Sequence, residues 1–365
     1  MTNANEAMWS IEQIIGALNQ WLQHTLGNVG AAIAAYILLG IFVILFFSVL
    51  GLVLVYMERK VSAWMQVRLG PNRVGPKGLL QTLADTLKLM SKEGLTPAGA
   101  DRFLFNLAPV LMIVVSMLLL APVAFARNVQ IWDLNIGVLY VSAISSVSVL
   151  AVLIAGWSSN NKYSLLGAMR SGAQIVSYEL SAGFAILTVA VLSGSLQVSQ
   201  IIESQQTGWW IFRGHLPVWV ATVVYLIAVT AETNRAPFDL AEAESELTAG
   251  FHTEYSGMKF ALFFLAEYAN VFIASAIGAT LFLGGWMPLH IGNWEAFNRV
   301  MDWIPSSIWF LAKTFFLIFV IMWFRWTFPR LRIDQLLELE WKYLLPIGLV
   351  NLILATAIAV LGWHF

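Results

Sequence analysis

Long runs of apolar residues alternate with shorter polar segments along most of this chain. A run of about 20 apolar residues is long enough to cross the hydrocarbon core of a bilayer as a helix. The pattern predicts eight transmembrane helices, at 31–57, 101–126, 137–157, 174–193, 217–233, 260–284, 306–325 and 344–362. The predicted fold is an all-α polytopic membrane protein, in which residues 31–365 form one eight-span membrane domain after an N-terminal segment, 1–30.

Positive charge assigns the predicted loops to the two sides of the membrane. Of the 20 Lys and Arg residues, 16 lie in or at the edges of the loops after spans 1, 3, 5 and 7, and three lie in the loops between them. Loops rich in Lys and Arg stay on the cytoplasmic side. Both termini, including the segment 1–30, are therefore expected on the non-cytoplasmic side. The eight spans and the lack of an organelle-targeting segment are typical of the bacterial plasma (cell inner) membrane.

Composition limits the chemistry that the chain can carry alone. It is 59% hydrophobic and 11% charged, and it has no cysteine and five histidines. Cysteine-ligated zinc and the usual iron–sulfur ligation are excluded, and the histidines lack metal-ligand spacing. We expect no metal site and no tightly bound cofactor, so a redox centre would belong to a partner or to a diffusible molecule.

One predicted cytoplasmic loop, 234–259, is unusually acidic for such an apolar chain. Seven of the 21 acidic residues fall within 232–267. The segment after Pro237 predicts a helix on which Asp239, Glu242 and Glu246 share one face and Glu244 points away. Like charges at this spacing repel, so partners, protons or a functional need must compensate. The alternative interpretation is a solvated surface helix.

Two further carboxylates lie inside predicted spans. Glu179 is about a turn and a half into the fourth span, and Glu267 is about two turns into the sixth. Ionisable groups in a membrane are unfavourable, usually face the bundle interior and often mark a pathway. Neighbouring carboxylates titrate as a coupled set and can pass protons. We therefore hypothesise that these acids form a proton relay or a charge-sensing path.

The first cytoplasmic loop, 58–100, is the other distinctive segment. Gly70-Pro71 and Gly75-Pro76 predict tight turns. After them, Leu79, Leu80, Leu83, Leu87 and Met90 would form the apolar side of an amphipathic helix lying in the membrane interface. The loop is either a basic anchor that only fixes topology or a platform that docks a soluble partner.

These two loops resemble a known family. The stretches "MERKVSAWMQVRLGPNRVGPKGLLQTLADTLKLMSKE" (57–93) and "ETNRAPFDLAEAESELTAGFHTEYSGMKFALFFLAEYAN" (232–270) are similar to the two signature regions of the membrane-embedded H subunit of NADH:quinone oxidoreductase, respiratory complex I. "SYEL" in span 4 and "FRWTFPRLRIDQLLELEWKYLLP" (324–346) match the same family. The resemblance covers nearly the whole chain.

The resemblance implies a function and a set of partners. The chain would be a subunit of a proton-translocating oxidoreductase, not catalytic by itself, that forms the quinone tunnel at the junction with the peripheral arm and starts the acidic proton-coupling path. The acidic positions of this path would be Glu179, Asp239, Glu242, Glu244, Glu246, Glu254 and Glu267. Quinone would be the substrate, while FMN and iron–sulfur clusters would belong to partner subunits. The partners would be the quinone-site and iron–sulfur subunits, small hydrophobic and antiporter-like membrane-arm subunits, and lipid, without nucleic acid.

The same resemblance implies roles for the basic residues. The quinone-binding or entry group would be Glu58, Arg59, Arg68, Asn72 and Arg73, and the partner-docking group would be Arg330, Arg332, Asp334 and Lys342. Two other functional classes compete with this interpretation. A secondary cation transporter would use Glu179 and Glu267 but would not explain the Gly-Pro loop. A scaffold that only anchors redox subunits would leave those two acids without a purpose.

Overall fold

The computed structural model describes residues 11–127, 129–240, 244–290 and 294–362. The chain forms two compact units, Met1–Gly51 and Leu52–Phe365. In the first unit the described residues form the first part of a long helix, which is interrupted at Gly27, where φ is 70°. The second unit contains every other helix described below.

Helices make up nearly all of the regular structure in the described ranges. In chain order they are α1 Ile11–Met65, α2 Gln81–Ser91, α3 Arg102–Leu119, α4 Gly137–Ser158, α5 Lys162–Ser193, α6 Val198–Glu203, α7 Trp210–Arg213, α8 His215–Glu232, α9 Glu244–Leu247, α10 Gly257–Phe282, α11 Glu295–Met301, α12 Ser306–Thr327, α13 Ile333–Glu338 and α14 Leu345–Val360. A π-helical turn, Leu339–Leu344, joins α13 to α14. Strands β1 (Ala124–Ala126) and β2 (Val129–Gln130) form an antiparallel hairpin after α3.

Eight of these helical runs are long and apolar enough to cross a membrane. They are Ile33–Met65, Arg102–Leu119, Gly137–Ser158, Lys162–Ser193, His215–Glu232, Gly257–Phe282, Ser306–Thr327 and Ile333–Val360. The predicted fold class and the number of spans are confirmed, whereas the first, fourth and last of these helices extend beyond the predicted bounds. The amphipathic helix of the first loop is also present as α2, and its leucines and Met90 remain exposed.

The fourth span differs from its predicted bounds. Helix α5 begins at Lys162 and not at 174, because the Asn161 side chain accepts a hydrogen bond from the Tyr163 amide at 2.8 Å and caps the helix. A hydropathy pattern detects only the apolar part of such a helix. Consequently Glu179 lies near the middle of α5, and not a turn and a half from its start.

The helix predicted in the acidic loop does not include Asp239. In the described part of this loop only α9 is an α-helix, and Asp239 precedes it in irregular structure. The prediction of one helix carrying Asp239 and Glu246 on a shared face is therefore wrong for these two residues. Repulsion between like charges disfavours such a helix, whereas separate contacts with basic side chains stabilise each acid.

The core lies where α3, α4, α5 and α10 cross near the acidic loop. Alanines at the crossings bring the helices close together, and aromatic rings fill the remaining space. The rings of Phe105 and Tyr255 stack with centroids 4.0 Å apart. Phe263 packs against Tyr255 edge to face. This cluster fixes the position of the segment that connects α9 to α10, and therefore the position of the helices that surround the central cavity.

Candidate functional site

Three glutamates face one internal cavity between α3, α4, α5, α8 and α10. Glu179 is on α5, Glu232 is the last residue of α8, and Glu267 is on α10. The cavity has a volume of about 60 Å³, and no basic residue lines it within the described part of the chain. Carboxylates that share such a space influence one another electrostatically and exchange protons as a coupled set.

Hydroxyl groups of α4 surround these carboxylates. Ser146 Oγ donates a hydrogen bond to Glu179 Oε1, and Ser145 Oγ lies 3.5 Å from the same oxygen. Ser145 is also within hydrogen-bonding reach of Glu232. Serines at these positions therefore bridge two acids of neighbouring helices. A hydroxyl both donates and accepts, so it can pass a proton between them.

Amides complete the polar lining of the cavity. Asn270 accepts a hydrogen bond from Ser116 at 2.7 Å. Asn234, which also lines the cavity, accepts from Gln174 at 3.2 Å. Each amide is held by a second polar side chain, so the lining is fixed in position. The cavity is consequently a largely apolar space, inside the bundle of transmembrane helices, with a fixed set of polar groups.

A buried charged cluster adjoins the cavity. Glu58 Oε2 lies 3.3 Å from Arg235 Nη1, and Arg325 forms an ion pair with Glu58 Oε1. The Arg235 guanidinium lies 4.5 Å from the centre of the Tyr268 ring. Two guanidinium groups and one carboxylate give the cluster a net positive charge. The same side chains line a smaller cavity of about 10 Å³.

Two pairs of consecutive residues connect the cavity with the cluster. Asn234 lines the cavity and Arg235 belongs to the cluster, and the same holds for Glu267 and Tyr268. Coulomb interactions act strongly over such short distances in a low-dielectric interior. The charged cluster and the cavity are therefore close enough to interact electrostatically.

The remaining members of the predicted entry group lie on the surface of the first loop. Arg59 pairs with Asp85 of α2 at 2.5 Å, with both side chains more than one-third exposed. Arg68, Asn72 and Arg73 are exposed. Only Glu58 of this group is buried in the charged cluster, so the structure does not bring the five residues together in one place.

The acids of the second loop are apart from the cavity and bind donors. Glu246 pairs with Arg170 at 2.7 Å, and Glu254 accepts a hydrogen bond from Asn161 at 2.6 Å. Asp239 lies 3.9 Å from Arg330. The predicted positions Glu242 and the Glu244 side chain lie outside the described residues. Of the seven predicted path acids, two line the cavity, and three are placed at the loop surface or its edge.

The predicted docking group is exposed as a whole. Arg330, Arg332, Asp334 and Lys342 all lie on the surface. Lys342 pairs with Glu338 one turn earlier, at 2.5 Å. This arrangement leaves charged side chains available on the last loop.

Three residues of the site were absent from the sequence-based assignment. Glu232 ends an apolar span, so the rule that selected Glu179 and Glu267 could have found it. Arg235 and Arg325 border apolar spans, so a sequence pattern identifies them only as basic residues of the loops. Their shared partner, Glu58, is 177 residues from Arg235 and 267 residues from Arg325 in the sequence, so only the folded chain brings the three together.

Comparisons with known proteins agree with this architecture. The family model described as NADH dehydrogenase matches residues 37–356. The H subunit of the NADH-quinone oxidoreductase of Bacteroides thetaiotaomicron is 56% identical over 90% of this chain and 92% of that protein. NADH-quinone oxidoreductase subunit 8 of Rhodothermus marinus is 52% identical over 83% of this chain and 90% of that protein.

With this identity and coverage, the chain falls in the class of multi-pass membrane proteins of the NADH dehydrogenase type. The chain belongs to the family of the H subunit of NADH-quinone oxidoreductase. As a subunit of an oxidoreductase complex, it works together with the other subunits of complex I and is not catalytic alone. The resemblance of the two loop signatures to this family is thereby confirmed.

Proposed function

We propose that this chain forms the membrane part of the quinone junction and starts the proton-coupling path of the complex. The names of its relatives give quinone as the electron acceptor. The observation that carries the proposal is the pairing of a three-glutamate cavity with a buried, net-positive cluster at the first loop. A quinone that takes up two electrons also takes up two protons, so it needs both features nearby.

The cluster and the cavity have complementary roles in this proposal. Arg235 and Arg325 stabilise negative charge that arises on the quinone headgroup, and Glu58 limits their excess charge. The resulting change in the electrostatic potential moves protons among Glu179, Glu232 and Glu267 through the serines of α4. The acids of the second loop, including Glu242 and Glu244, supply protons from the cytoplasmic side.

The partners and orientation follow from the same proposal. Loops 58–100 and 234–259 face the cytoplasm, where the quinone-site and iron–sulfur subunits of the peripheral arm dock. Those subunits contain the FMN and the iron–sulfur clusters. The exposed residues Arg330, Arg332, Asp334 and Lys342 belong to this docking surface. Both termini lie on the opposite side of a bacterial plasma membrane, and small hydrophobic and antiporter-like subunits continue the membrane arm.

Single substitutions in the cavity test the proposal. Glu179→Gln, Glu232→Gln and Glu267→Gln remove a titratable proton while they keep the shape and polarity of the side chain. We expect assembled complex with proton pumping lowered at least about tenfold, which is the effect of losing one positioned proton-transfer group. The matched control is Glu295→Gln, on the exposed helix α11, which should pump normally.

The measurement compares two electron acceptors in membrane vesicles supplied with NADH. The cavity variants should lose quinone-dependent proton uptake but keep electron transfer to a hydrophilic artificial acceptor, which needs only the soluble arm. Normal pumping in all three variants would refute the proton path. Unchanged quinone reduction in membranes without this chain would refute the quinone junction and favour a cation transporter.

A further inference from the structure

Glu340 is a buried carboxylate outside the cavity and outside the charged cluster. Its side chain is 0% exposed, and it lies in the π-helical turn between α13 and α14. Ser181 Oγ of α5 donates a hydrogen bond to its Oε1. Its Oε2 has no hydrogen-bond partner in the part of the chain that the structure describes.

No positive charge compensates Glu340 among the described residues. It takes part in none of their ion pairs, and the nearby Lys342 is exposed and bound to Glu338. Three helices pack against its turn. Helix α14 has no titratable side chain, α13 contributes the exposed Asp334 and Glu338, and α5 contributes Tyr178, which donates to Leu336 O at 3.0 Å.

These surroundings are strongly unfavourable for an ionised carboxylate. An oxygen-ligated metal cation needs about six ligands, more than Glu340 and Ser181 supply. A bound proton neutralises the group without further ligands. We propose that Glu340 and Ser181 form a proton-binding site, in which Glu340 is held as the neutral carboxylic acid between α5 and the last span.

The site gives α5 a proton-binding group at each of two faces. Glu179 and Ser181 are two positions apart, so they point about 200° away from each other around the helix. Glu179 lines the cavity, and Ser181 holds Glu340 on the other side. Ionisation of Glu340 requires water to enter between α5 and the last span, and π-helical turns such as Leu339–Leu344 frequently mark functional sites. Occupancy of the site by a proton thus stabilises the attachment of the last span.

The pH dependence of stability tests this site in the complete complex. We compare wild type, Glu340→Gln and the matched surface control Glu338→Gln by the temperature at which half of the complex dissociates on a native gel. At pH 4, below the pKa of about 4.3 of a glutamate in an unfolded chain, Glu340→Gln should come close to wild type, because the wild-type carboxyl is then largely neutral in both the folded and the unfolded state. At pH 8.5 the variant should be more stable by several degrees, because wild type alone releases a proton on unfolding. Glu338→Gln should follow wild type throughout.

Two results would overturn the proposal. A variant less stable by the same amount at each pH would mean that Glu340 is ionised and paired with a cation. Equal stability of variant and wild type at each pH would mean that no proton is linked to folding at this position. Because electron transfer is not measured, failure of the quinone junction would leave both outcomes unaffected.

Chemical labelling provides a second test that needs no variant to assemble. Dicyclohexylcarbodiimide reacts with protonated carboxyl groups in apolar surroundings: the acid adds across a C=N bond, and the O-acylisourea rearranges to a stable N-acylurea. Mass spectrometry of the wild-type complex at pH 7.5 should locate this adduct on Glu340. An adduct on Glu179 or Glu267 with none on Glu340 would contradict the proposal.

Discussion

At the scale of single residues, glutamates in the interior of this protein occupy three different environments. Glu179, Glu232 and Glu267 share a cavity with hydroxyl groups and with one another. Glu58 is buried between two guanidinium groups, whereas Glu340 is buried against a serine. The first environment places acids side by side, the second pairs one acid with two cations, and the third offers a carboxylate only a hydroxyl group among the described residues. Residue type alone therefore does not determine the role of an acid here.

Neutralising Glu58 should destabilise the protein far more than neutralising an exposed acid. Glu58→Gln leaves two arginines next to an uncharged side chain in a buried place, which costs on the order of 3–5 kcal/mol. Asp85→Asn, in the exposed pair with Arg59, should cost less than about 1 kcal/mol. Heat-induced dissociation of the complex on native gels measures both. Similar losses for the two variants would contradict a buried charged cluster.

His252 should make the protein sensitive to acid. Burial among Phe251, Phe260 and Phe264 lowers the pKa of His252 to about 4. Its pKa in an unfolded chain is about 6.5, so the unfolded state binds a proton first and stability falls as the pH drops from about 6.5 to about 4. The total loss is about 3 kcal/mol, and stability above pH 7 is unaffected.

Replacing this histidine tests the effect. His252→Gln should flatten the decrease in thermal stability between pH 7.5 and pH 5, while His290→Gln, at an exposed position next to Asp302, should not. Stability at each pH is measured by heat-induced loss of intact complex. An equally steep decrease in His252→Gln and wild type would assign the acid sensitivity to other groups.

At the scale of elements, backbone contact fixes the acidic loop on α5. A Cβ at Gly167 would lie 2.8 Å from the Gly250 Cα and 2.9 Å from the Phe251 amide nitrogen. No real Cβ contact is that short, so α5 and the start of this segment touch through their backbones. Arg170 and Asn161 hold Glu246 and Glu254 on either side of this contact. The elements are therefore held by close packing as well as by charge.

Two glycines of α5 allow the effect of close packing on stability to be distinguished from the effect of helix propensity. Gly167→Ala should displace the loop at a cost of roughly 1–3 kcal/mol, because it overpacks a backbone contact. Gly183→Ala, where a Cβ would meet nothing within 4 Å, should be neutral or slightly stabilising. The yield of assembled complex and its thermal dissociation report both effects. A loss in both variants alike would mean that the close approach at Gly167 is unimportant.

At the scale of the whole molecule, the absence of cysteine allows the orientation to be measured without background. Ser91→Cys lies in the first loop, and Gln206→Cys lies between spans four and five; both positions are exposed. A membrane-impermeant maleimide should label Ser91→Cys only in inside-out vesicles and Gln206→Cys only in right-side-out vesicles. The opposite pattern would invert the orientation proposed from the Lys and Arg distribution.

Sequence patterns predicted the spans well because membrane insertion depends on local hydrophobicity, which is read directly from the chain. These patterns were less reliable for the polar segments at the ends of helices and in the loops. The start of α5 depended on a cap at Asn161, and the acidic helix was reduced in the described part to α9. Both errors concern segments in which side-chain contacts compete with helix propensity.

By itself, the sequence determined the eight-span all-α fold, the absence of cysteine chemistry, the unusual acidity of 232–267 and, through two long signatures, the family. The tertiary structure decided which acids meet. It placed Glu232 beside Glu179 and Glu267, paired two arginines with Glu58 and, among the described residues, left Glu340 without a counter-charge. The physical reason is that hydrophobic length is a local property of the chain, whereas the environment of a carboxylate depends on helices that are distant in sequence and adjacent only after packing.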